Sequence, residues 1–261
     1  MKKLTAGVKP KKFFGQHFLK NRDIAKNIAA LGKRGGLRNI LEIGPGMGML
    51  TEYLLEPTIH LKTIEIDDES ATYLKRNFPE IEVIQGDFLK ADIQKFFDGS
   101  EFAVVGNFPY NISSQIVFKI LENRNVIPYM AGMFQKEVAE RIGAKPGSKD
   151  YGILSVLTQL FYTVEYHLTV EPGNFNPPPK VRSGVISLKR LETPLCSDSA
   201  YEQVKYFVKT AFNQRRKTLR NALKSLNIPA EMLKDSIFDR RAEQLSPFEF
   251  VELSKAVALA H

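Results

Sequence analysis

The chain has 261 residues, 43% hydrophobic and 25% charged, and its 37 Lys and Arg against 29 Asp and Glu give a formal net charge of +8. This composition is typical of a globular protein with a full core and excludes a disordered or fibrous chain. The single cysteine, Cys196, excludes an internal disulfide, and no metal site is indicated. Without an apolar signal sequence or a run of roughly 20 apolar residues, we expect a cytoplasmic protein with no membrane association.

Apolar runs alternate with amphipathic segments from residue 39 to residue 190. Strands are predicted at 39–44, 61–66, 81–86, 102–106, 129–134, 165–170 and 184–190. Helices are predicted at 48–56, 67–77, 90–97, 113–123, 136–143 and 152–163. This alternation favours an α/β fold with a mostly parallel sheet. The last two strands are joined by a Pro-rich loop without a helix, so we expect a seven-stranded sheet with one reversed strand.

A second, smaller domain is predicted at the C-terminus. Residues 192–199 have the composition of a linker, and the pattern after them is helical throughout. The expected domains are therefore an α/β domain over 1–191, with a basic N-terminal arm, and an all-helical domain over 192–261. A helical projection of 204–224 has an apolar face beside a cationic one. Arg215 falls on the apolar face, so either the helix is interrupted near residue 213 or Arg215 points into the junction between domains.

The positive charge is concentrated in two segments. Residues 1–26 contain eight Lys or Arg and one acid, and residues 205–241 contain ten Lys or Arg and three acids, so each segment carries +7 and the remainder −6. Clustered cations release counterions when they bind phosphates, which favours a polyanion partner. A solvated basic face with a flexible tail is the alternative. The candidate nucleic-acid contacts are Lys11, Lys12, Arg215, Arg216, Lys217, Arg220 and Lys224.

A glycine-rich turn follows the first predicted strand. Gly44, Gly46 and Gly48 follow Glu42 closely and allow the backbone to turn sharply and approach a ligand. A dinucleotide site has the spacing G-x-G-x-x-G, whereas this turn has G-x-G-x-G, which favours a ligand without a pyrophosphate. A tight turn or a different nucleotide site remains the alternative.

Acidic side chains end the next two predicted strands. Glu65 can accept hydrogen bonds from both hydroxyls of a ribose, Asp87 can accept one from an exocyclic amine, and Phe88 can flank a purine. Each alone could be an ordinary surface acid or core ring. Because ligands of open α/β sheets lie across the carboxyl ends of the strands, the succession predicts an adenosine-like cofactor.

The fourth predicted strand ends in Asn107-Phe-Pro-Tyr110. This tetrapeptide resembles the N-[LF]-P-[YF] signature of N6-adenine methyltransferases, and the preceding motifs resemble their S-adenosylmethionine site. An aromatic amine is a poor nucleophile because its lone pair is delocalised into the ring. Hydrogen bonds from N6 to the Asn107 oxygen and to a backbone carbonyl of the Phe108-Pro109 turn would localise that lone pair, while Tyr110 stacks on the base. The alternative is a turn with a core tyrosine.

Five ordered motifs resemble the ribosomal RNA adenine dimethyltransferase family, and its small-subunit branch, the kasugamycin-sensitivity methyltransferases, most of all. The similarity extends from about residue 11 to about residue 255. The motifs are Phe14–Leu19, Glu42–Thr51, Gly106–Ser114, Phe175–Ser183 and Ala211–Leu223. The resemblance implies a Rossmann-like methyltransferase sheet and S-adenosylmethionine as the cofactor.

The resemblance also implies roles for single residues. The implied cofactor contacts are His17, Leu19, Gly44, Gly46, Glu65, Asp87, Phe88 and Asn107. The implied catalytic group consists of Asn107, Pro109, Tyr110 and Phe175, with Phe175 stacking on the target adenine opposite Tyr110. The family often has Asn at position 17 and Leu at position 108. The first departure leaves open whether the side chain or only the backbone of His17 contacts the cofactor.

The expected activity is transfer of methyl groups to N6 of two adjacent adenosines near the 3′ end of 16S rRNA. The expected substrate is the immature small ribosomal subunit, the expected role is in its biogenesis, and the protein is expected to be a monomer. Two alternatives are a large-subunit dimethyltransferase of the macrolide-resistance type and a mainly non-catalytic assembly factor. A nicotinamide-dependent oxidoreductase is disfavoured by the glycine spacing and by the Asn107 motif.

Overall fold

A computed structural model of the chain describes residues 8–259. These residues form two compact units, one of residues 8–139 and 164–190 and the other of 140–163 and 191–259. The second unit thus includes residues 140–163, which the sequence-based boundary at 191/192 assigned to the α/β domain. No helix in the described part of the chain is long and apolar enough to cross a membrane.

A seven-stranded sheet, in the order β4-β3-β2-β5-β6-β9-β7, dominates the first unit. The strands of the described residues are β1 Phe18–Leu19, β2 Asn39–Ile43, β3 His60–Glu65, β4 Glu82–Gln85, β5 Ala103–Asn107, β6 Tyr129–Gln135, β7 Tyr162–Val170, β8 Phe175–Asn176 and β9 Ser183–Arg190. Neighbours from β4 to β6 are parallel, whereas β9 runs antiparallel to β6. The Rossmann-like sheet with one reversed strand is confirmed.

The helices connect these strands and build most of the second unit. Within the described residues they are α1 Arg22–Lys33, α2 Thr51–Leu54, α3 Asp68–Asn77, α4 Ser113–Glu122, α5 Lys136–Ile142, α6 Ile153–Gln159, α7 Tyr201–Asn213, α8 Leu219–Ala222 and α9 Pro247–Leu259. Helix α1 was not predicted. The Asn21 side chain caps it by accepting hydrogen bonds from the backbone N–H groups of Asp23 and Ile24.

Two elements differ from the prediction for local reasons. The predicted helix 152–163 ends at Gln159, because the aromatic and β-branched residues that follow begin strand β7 at Tyr162. The predicted helix 48–56 is reduced to α2, since residues 45–50 are taken up by the glycine-rich turn. The 90–97 segment is helical only as a 3-10 turn over Ile93–Phe97.

In the second unit, the predicted cationic helix is interrupted. Helix α7 ends at Asn213 and α8 begins at Leu219. Between them the Arg215 guanidinium donates to the Glu243 carboxylate at 2.6 Å and to the carbonyl of Ser148 at 3.2 Å. Of the two explanations for Arg215, the interruption of the helix is therefore correct.

The ring of Phe108 packs against two glycines, Gly106 and Gly132. Phe108 is 1% exposed, and its ring lies 4.6 Å from that of Phe134. A Cβ atom on Gly132 would lie 2.3 Å from the Phe108 ring and 2.5 Å from the carbonyl oxygen of Gly106. Because the turn that carries Asn107 begins where this ring is buried, the packing around Gly132 also fixes the position of the turn.

The Gly132→Ala substitution is expected to destabilise the protein by about 1–3 kcal/mol, because a backbone oxygen blocks the added methyl group. The midpoint of thermal unfolding, measured by circular dichroism, should therefore fall by a few degrees. Gly173→Ala is the control, since a Cβ there meets nothing within 4 Å. Equal midpoints for both variants would contradict the tight contact.

Candidate active site

The glycine-rich turn lies at the carboxyl end of β2 and lines a cavity. Gly44, Gly46 and Gly48 all have left-handed backbone angles, with φ of +64°, +57° and +81°. A Cβ on Gly46 would also lie 2.8 Å from the ring of Phe18. Both the backbone angle and the close approach require glycine here, which accounts for the observed spacing.

The carboxylate of Glu65 is buried at the end of β3 and is held by two backbone groups. Its Oε2 accepts from the N–H of Gly46 at 3.0 Å, and its Oε1 accepts from the N–H of Asp67 at 2.9 Å. Burial raises the pKa of Glu65, while these two hydrogen bonds act in the opposite direction. Each oxygen keeps a further lone pair, so a fixed carboxylate in the cavity wall can still accept from ligand hydroxyls.

Glu42 lies beneath the glycine turn, not in the cavity wall. It is 1% exposed, and the hydroxyl of Thr51 donates to its Oε2 at 2.7 Å. Burial, together with the nearby charge of Glu65, raises the pKa of Glu42 to about 8. A neutral carboxyl group therefore connects the two ends of the turn at neutral pH.

The segment after β4 contributes one polar and one apolar group to the cavity, and the residue after β3 contributes a second apolar group. Asp87 lines the cavity, and its Oδ1 accepts from the N–H of Leu89 at 2.9 Å. Phe88 also lines it but is only 4% exposed. Ile66, which was not predicted, lines the cavity and is 43% exposed. An exposed isoleucine directly after a strand-ending glutamate is the sequence signal that could have found it, because an apolar side chain there can cover a purine face.

The turn after β5 presents two acceptors. The Nδ2 of Asn107 donates to the carbonyl of His17 at 3.0 Å, which orients the amide and leaves Oδ1 free of partners within the described residues. The carbonyl of Pro109 accepts from the N–H of Ile112 and from the hydroxyl of Ser113. The Phe108 carbonyl accepts no hydrogen bond from the described part of the chain. Two consecutive residues of one turn thus each have an oxygen without a partner among the described residues.

The ring of Tyr110 is held from two directions. Its hydroxyl is hydrogen-bonded to the hydroxyl of Ser183, and its ring centroid lies 5.3 Å from that of His17. The Nδ1–H of His17 donates to the carbonyl of Pro177 at 2.8 Å, since a carbonyl can only accept. Burial raises the pKa of Tyr110, so its hydroxyl stays neutral.

These residues meet around one cavity that is partly open to solvent. Of the predicted site residues, it is lined by His17, Gly44, Gly46, Glu65, Asp87, Phe88, Asn107, Pro109 and Tyr110. Leu19 and Phe175 are not among the lining residues. They face each other across the antiparallel pair of β1 and β8, and both side chains pack into the core at 4% and 1% exposure. Stacking by Phe175 would require its ring to leave that core.

The predicted basic contact residues of the arm differ in their surroundings. The Lys11 ammonium is paired with the carboxylate of Asp67 and lies 3.2 Å from that of Glu69. The side chain of Lys12, and the basic residues among positions 1–7, lie outside the described part of the chain.

The predicted basic contact residues of the second unit fall into two groups. Arg215 is paired with Glu243 at 2.6 Å, and Arg220 with Asp239 at 2.7 Å. The other three predicted contacts are exposed and have no ion pair among the described residues: Arg216, Lys217 and Lys224. Lys217 and Lys224 line a polar depression together with Gln214, Asn221, Ala222 and Ser225.

The cavity fits the methyl donor that the sequence implied. Its lining combines the glycine turn, the buried Glu65 carboxylate and the Asp87 carboxylate with the apolar side chains of Ile66 and Phe88. No group of three or more potential metal-ligating side chains occurs in the described residues. Fold and site together define an S-adenosylmethionine-dependent methyltransferase.

Comparison with known proteins gives the family. The model of the ribosomal RNA adenine dimethylase family matches residues 7–258. The ribosomal RNA small subunit methyltransferase A of Flavobacterium johnsoniae is 54% identical over 254 residues, 96% of each chain. The protein of that name from Cytophaga hutchinsonii is 53% identical over 257 residues, 96% of this chain and 98% of that one. The chain belongs to the ribosomal RNA adenine dimethylase family.

Two solved structures share the fold over nearly the whole chain. A dimethyladenosine transferase from Plasmodium falciparum has a TM-score of 0.78 at 29% identity and covers 91% of this chain and 96% of its own. The 23S rRNA methyltransferase ErmE has a TM-score of 0.68 at 28% identity and covers 91% and 99%. The fold is therefore that of rRNA methyltransferases in both units.

The protonation of Glu42 is expected to make stability depend on pH. Its pKa is raised from 4.5 to about 8, so between these values the native state binds one more proton than the unfolded state. This contribution to the free energy of unfolding is fully present below pH 4.5 and falls by about 1.4 kcal/mol per pH unit as the pH rises towards 8. Glu42→Gln should remove that fall, as measured by urea unfolding from pH 5 to 8.

Glu80→Gln is the matched control, because Glu80 is exposed and has no ion pair among the described residues. Its pH dependence should equal that of the wild type. A Glu42→Gln variant with the wild-type slope would mean that Glu42 is ionised across this range.

Proposed function

We propose that this protein methylates N6 of two adjacent adenosines near the 3′ end of 16S rRNA, in the immature small ribosomal subunit, and gives N6,N6-dimethyladenosine. We further propose that it acts in the cytoplasm as a monomer with a role in small-subunit biogenesis. Relatives named small-subunit methyltransferases are more than 50% identical over nearly the full chain, which supports this substrate. The observation that carries the chemistry is the pair of unpaired acceptors, Asn107 Oδ1 and the Phe108 carbonyl.

Recognition of the adenine amine would rest on these two acceptors. The N6 amine has two N–H groups, and two oxygens in one turn match them. Both hydrogen bonds draw the nitrogen lone pair out of conjugation with the ring and aim it into the cavity. After one methyl group is added, a single N–H remains, and one of the oxygens can still hold it for a second transfer. Such a site accelerates the reaction by positioning and electrostatics.

The methyl donor, when bound, supplies an electrophilic methyl group on a positively charged sulfur. Glu65 would accept the ribose hydroxyls of the donor and Asp87 the exocyclic amine of its adenine, both from the cavity wall. The glycine turn leaves room for the backbone to touch the donor directly. These contacts bring donor and target amine into one cavity, and water takes the proton that the amine releases.

The target base would be held on the ring of Tyr110. An adenosine must leave its stack to reach this cavity, and an aromatic platform compensates part of that cost. Tyr110 is suited to this because Ser183 and His17 restrict its rotation. Phe175 would complete the sandwich only after moving out of the core, so its stacking role belongs to a conformation with RNA bound.

Two alternative functions, a large-subunit methyltransferase and a non-catalytic assembly factor, are less well supported. A large-subunit enzyme, ErmE, shares the fold at 28% identity, far below the identity of the small-subunit relatives. A purely structural assembly factor would need no acceptor pair in the Asn107 turn. A large-subunit enzyme would methylate a different RNA from the proposed substrate, and an assembly factor would not methylate RNA at all.

Asn107→Ala is expected to lower the rate of adenine methylation by about 10²-fold or more, because one of the two lone-pair-orienting acceptors is lost. The measurement is mass analysis of dimethyladenosine in small ribosomal subunits incubated with enzyme and S-adenosylmethionine. Subunit binding should persist. Asn27→Ala, the same change on an exposed face of α1, is the control. Full activity of Asn107→Ala would contradict the mechanism, and methylation of large-subunit RNA alone would contradict the substrate.

The exposed cations of the second unit are proposed to bind rRNA phosphates. Changing Arg216, Lys217 and Lys224 together to Ala should lower the slope of log affinity against log salt by about 2–3, since each neutralised phosphate contributes about 0.7–0.9. Arg215 and Arg220 already have carboxylate partners and should contribute less.

A charge-matched control is available in the same unit. Lys205, Lys234 and Lys255 each pair with a glutamate three residues earlier. Their triple change to Ala removes the same formal charge and should alter the slope by less than one. Equal effects of the two triple variants would show that net charge, and not this surface, governs binding.

A further inference from the structure

One wall of the cavity is made by the N-terminal arm, defined here as residues 8–20. Arm residues 14–18 line the cavity opposite the strand ends. The arm is tied at its C-terminal side by the β1–β8 pairing and by the hydrogen bond from Asn107 to the carbonyl of His17. Its position over the cavity therefore depends on what holds its other side.

Lys11 holds that side. Its ammonium is paired with the carboxylate of Asp67 and lies 3.2 Å from that of Glu69, and its backbone N–H donates to the side-chain oxygen of Gln16 at 2.8 Å. The Asp67 side chain is fully buried, whereas that of Lys11 is 27% exposed. The lysine thus reaches from the arm into the protein, and its charge is already matched by two carboxylates.

Asp67 does not line the cavity, but it contacts Glu65, which does. Its N–H donates to Glu65 Oε1, and Glu65 Oε2 accepts from Gly46 in the glycine turn. Its own Oδ2 accepts from the N–H of Ser70 at the start of α3. Burial opposes the charge of Asp67, but hydrogen bonds from Lys11 and Ser70 outweigh it, and the pKa of Asp67 lies below its ordinary value. Removal of the Lys11 ammonium would leave the buried Asp67 carboxylate without a counterion, which is strongly unfavourable.

We propose that Lys11 is a positioning residue for the cofactor: its pair with Asp67 clasps the arm over the cavity. The sequence suggested an RNA contact for Lys11, but a lysine shared by two carboxylates of its own protein is poorly placed to neutralise a phosphate. This inference rests on the proposed function, because it assumes that S-adenosylmethionine occupies this cavity. Opening the pair would free the arm wall and weaken cofactor binding without removing any group that touches the target base.

The test compares Lys11→Met with Lys20→Met in the full-length protein. Lys20 is an exposed arm lysine with no ion pair among the described residues. The dissociation constant for S-adenosylhomocysteine, measured by isothermal titration calorimetry, should rise about 5- to 10-fold for Lys11→Met and less than twofold for Lys20→Met. KM for S-adenosylmethionine should rise in parallel while kcat at saturation stays within twofold. Lys11→Arg should restore binding.

A double-mutant cycle assigns the effect to the pair. Asp67→Asn keeps an oxygen for the Ser70 cap but loses the charge, and the Lys11→Met, Asp67→Asn protein should bind no more weakly than the worse single variant. Cofactor affinity of Lys11→Met within twofold of the wild type would overturn the clasp, and a simultaneous loss of rRNA affinity would make Lys11 an RNA contact. Failure of the wild type itself to bind S-adenosylhomocysteine would overturn the proposed function.

Discussion

A buried carboxylate at the end of β3 is the constraint on which the cofactor site depends. Glu65 is 3% exposed and receives backbone N–H groups from two directions, Gly46 in the glycine turn and Asp67 before α3. Loss of these donors would leave a buried charge without hydrogen bonds, which would strongly destabilise the folded protein. The turn after β2 and the segment after β3 are therefore held in one geometry, and a ligand meets a wall that is preorganised.

The turn after β5, which is proposed to hold the target amine, contacts the arm that lines the same cavity. The orientation of the Asn107 amide is set by a carbonyl of the arm, that of His17, and not by any group of the sheet. The His17 side chain in turn packs against Tyr110. The same short segment thus lines the cavity, orients the Asn107 amide and packs on the ring of Tyr110, the two groups proposed to hold the target adenine. Displacement of the arm at His17 would disturb all three, whereas release of Lys11 alone leaves the contacts of His17 with Asn107 and Tyr110 in place.

Most of the sheet and the cofactor motifs could be predicted because they depend on local patterns. Glycine spacing, strand-ending acids and the Asn107 tetrapeptide are short-range signals, and parallel strands bring them to one edge. The positions of Lys11 and Phe175 depend on partners far along the chain: Asp67 lies 56 residues from Lys11, and Phe175 packs beside Leu19. The periodicity of hydrophobic residues reports local structure, so it cannot predict contacts between residues far apart in the chain. Likewise, Arg215 pairs with Glu243, which lies 28 residues further along the chain.

The distribution of charge has a different meaning once the partners of each cation are known. Two segments of equal net charge looked equivalent in the sequence, yet Lys11 in the first is held by two acids from another element. In the second, Arg215 and Arg220 have carboxylate partners that lie outside the helix they were projected on. A cation with a protein partner must give up that partner before it releases counterions from RNA. We therefore propose that the attraction for rRNA phosphates comes from exposed cations without a protein partner, among them Arg216, Lys217 and Lys224, whereas the paired cations stabilise the fold.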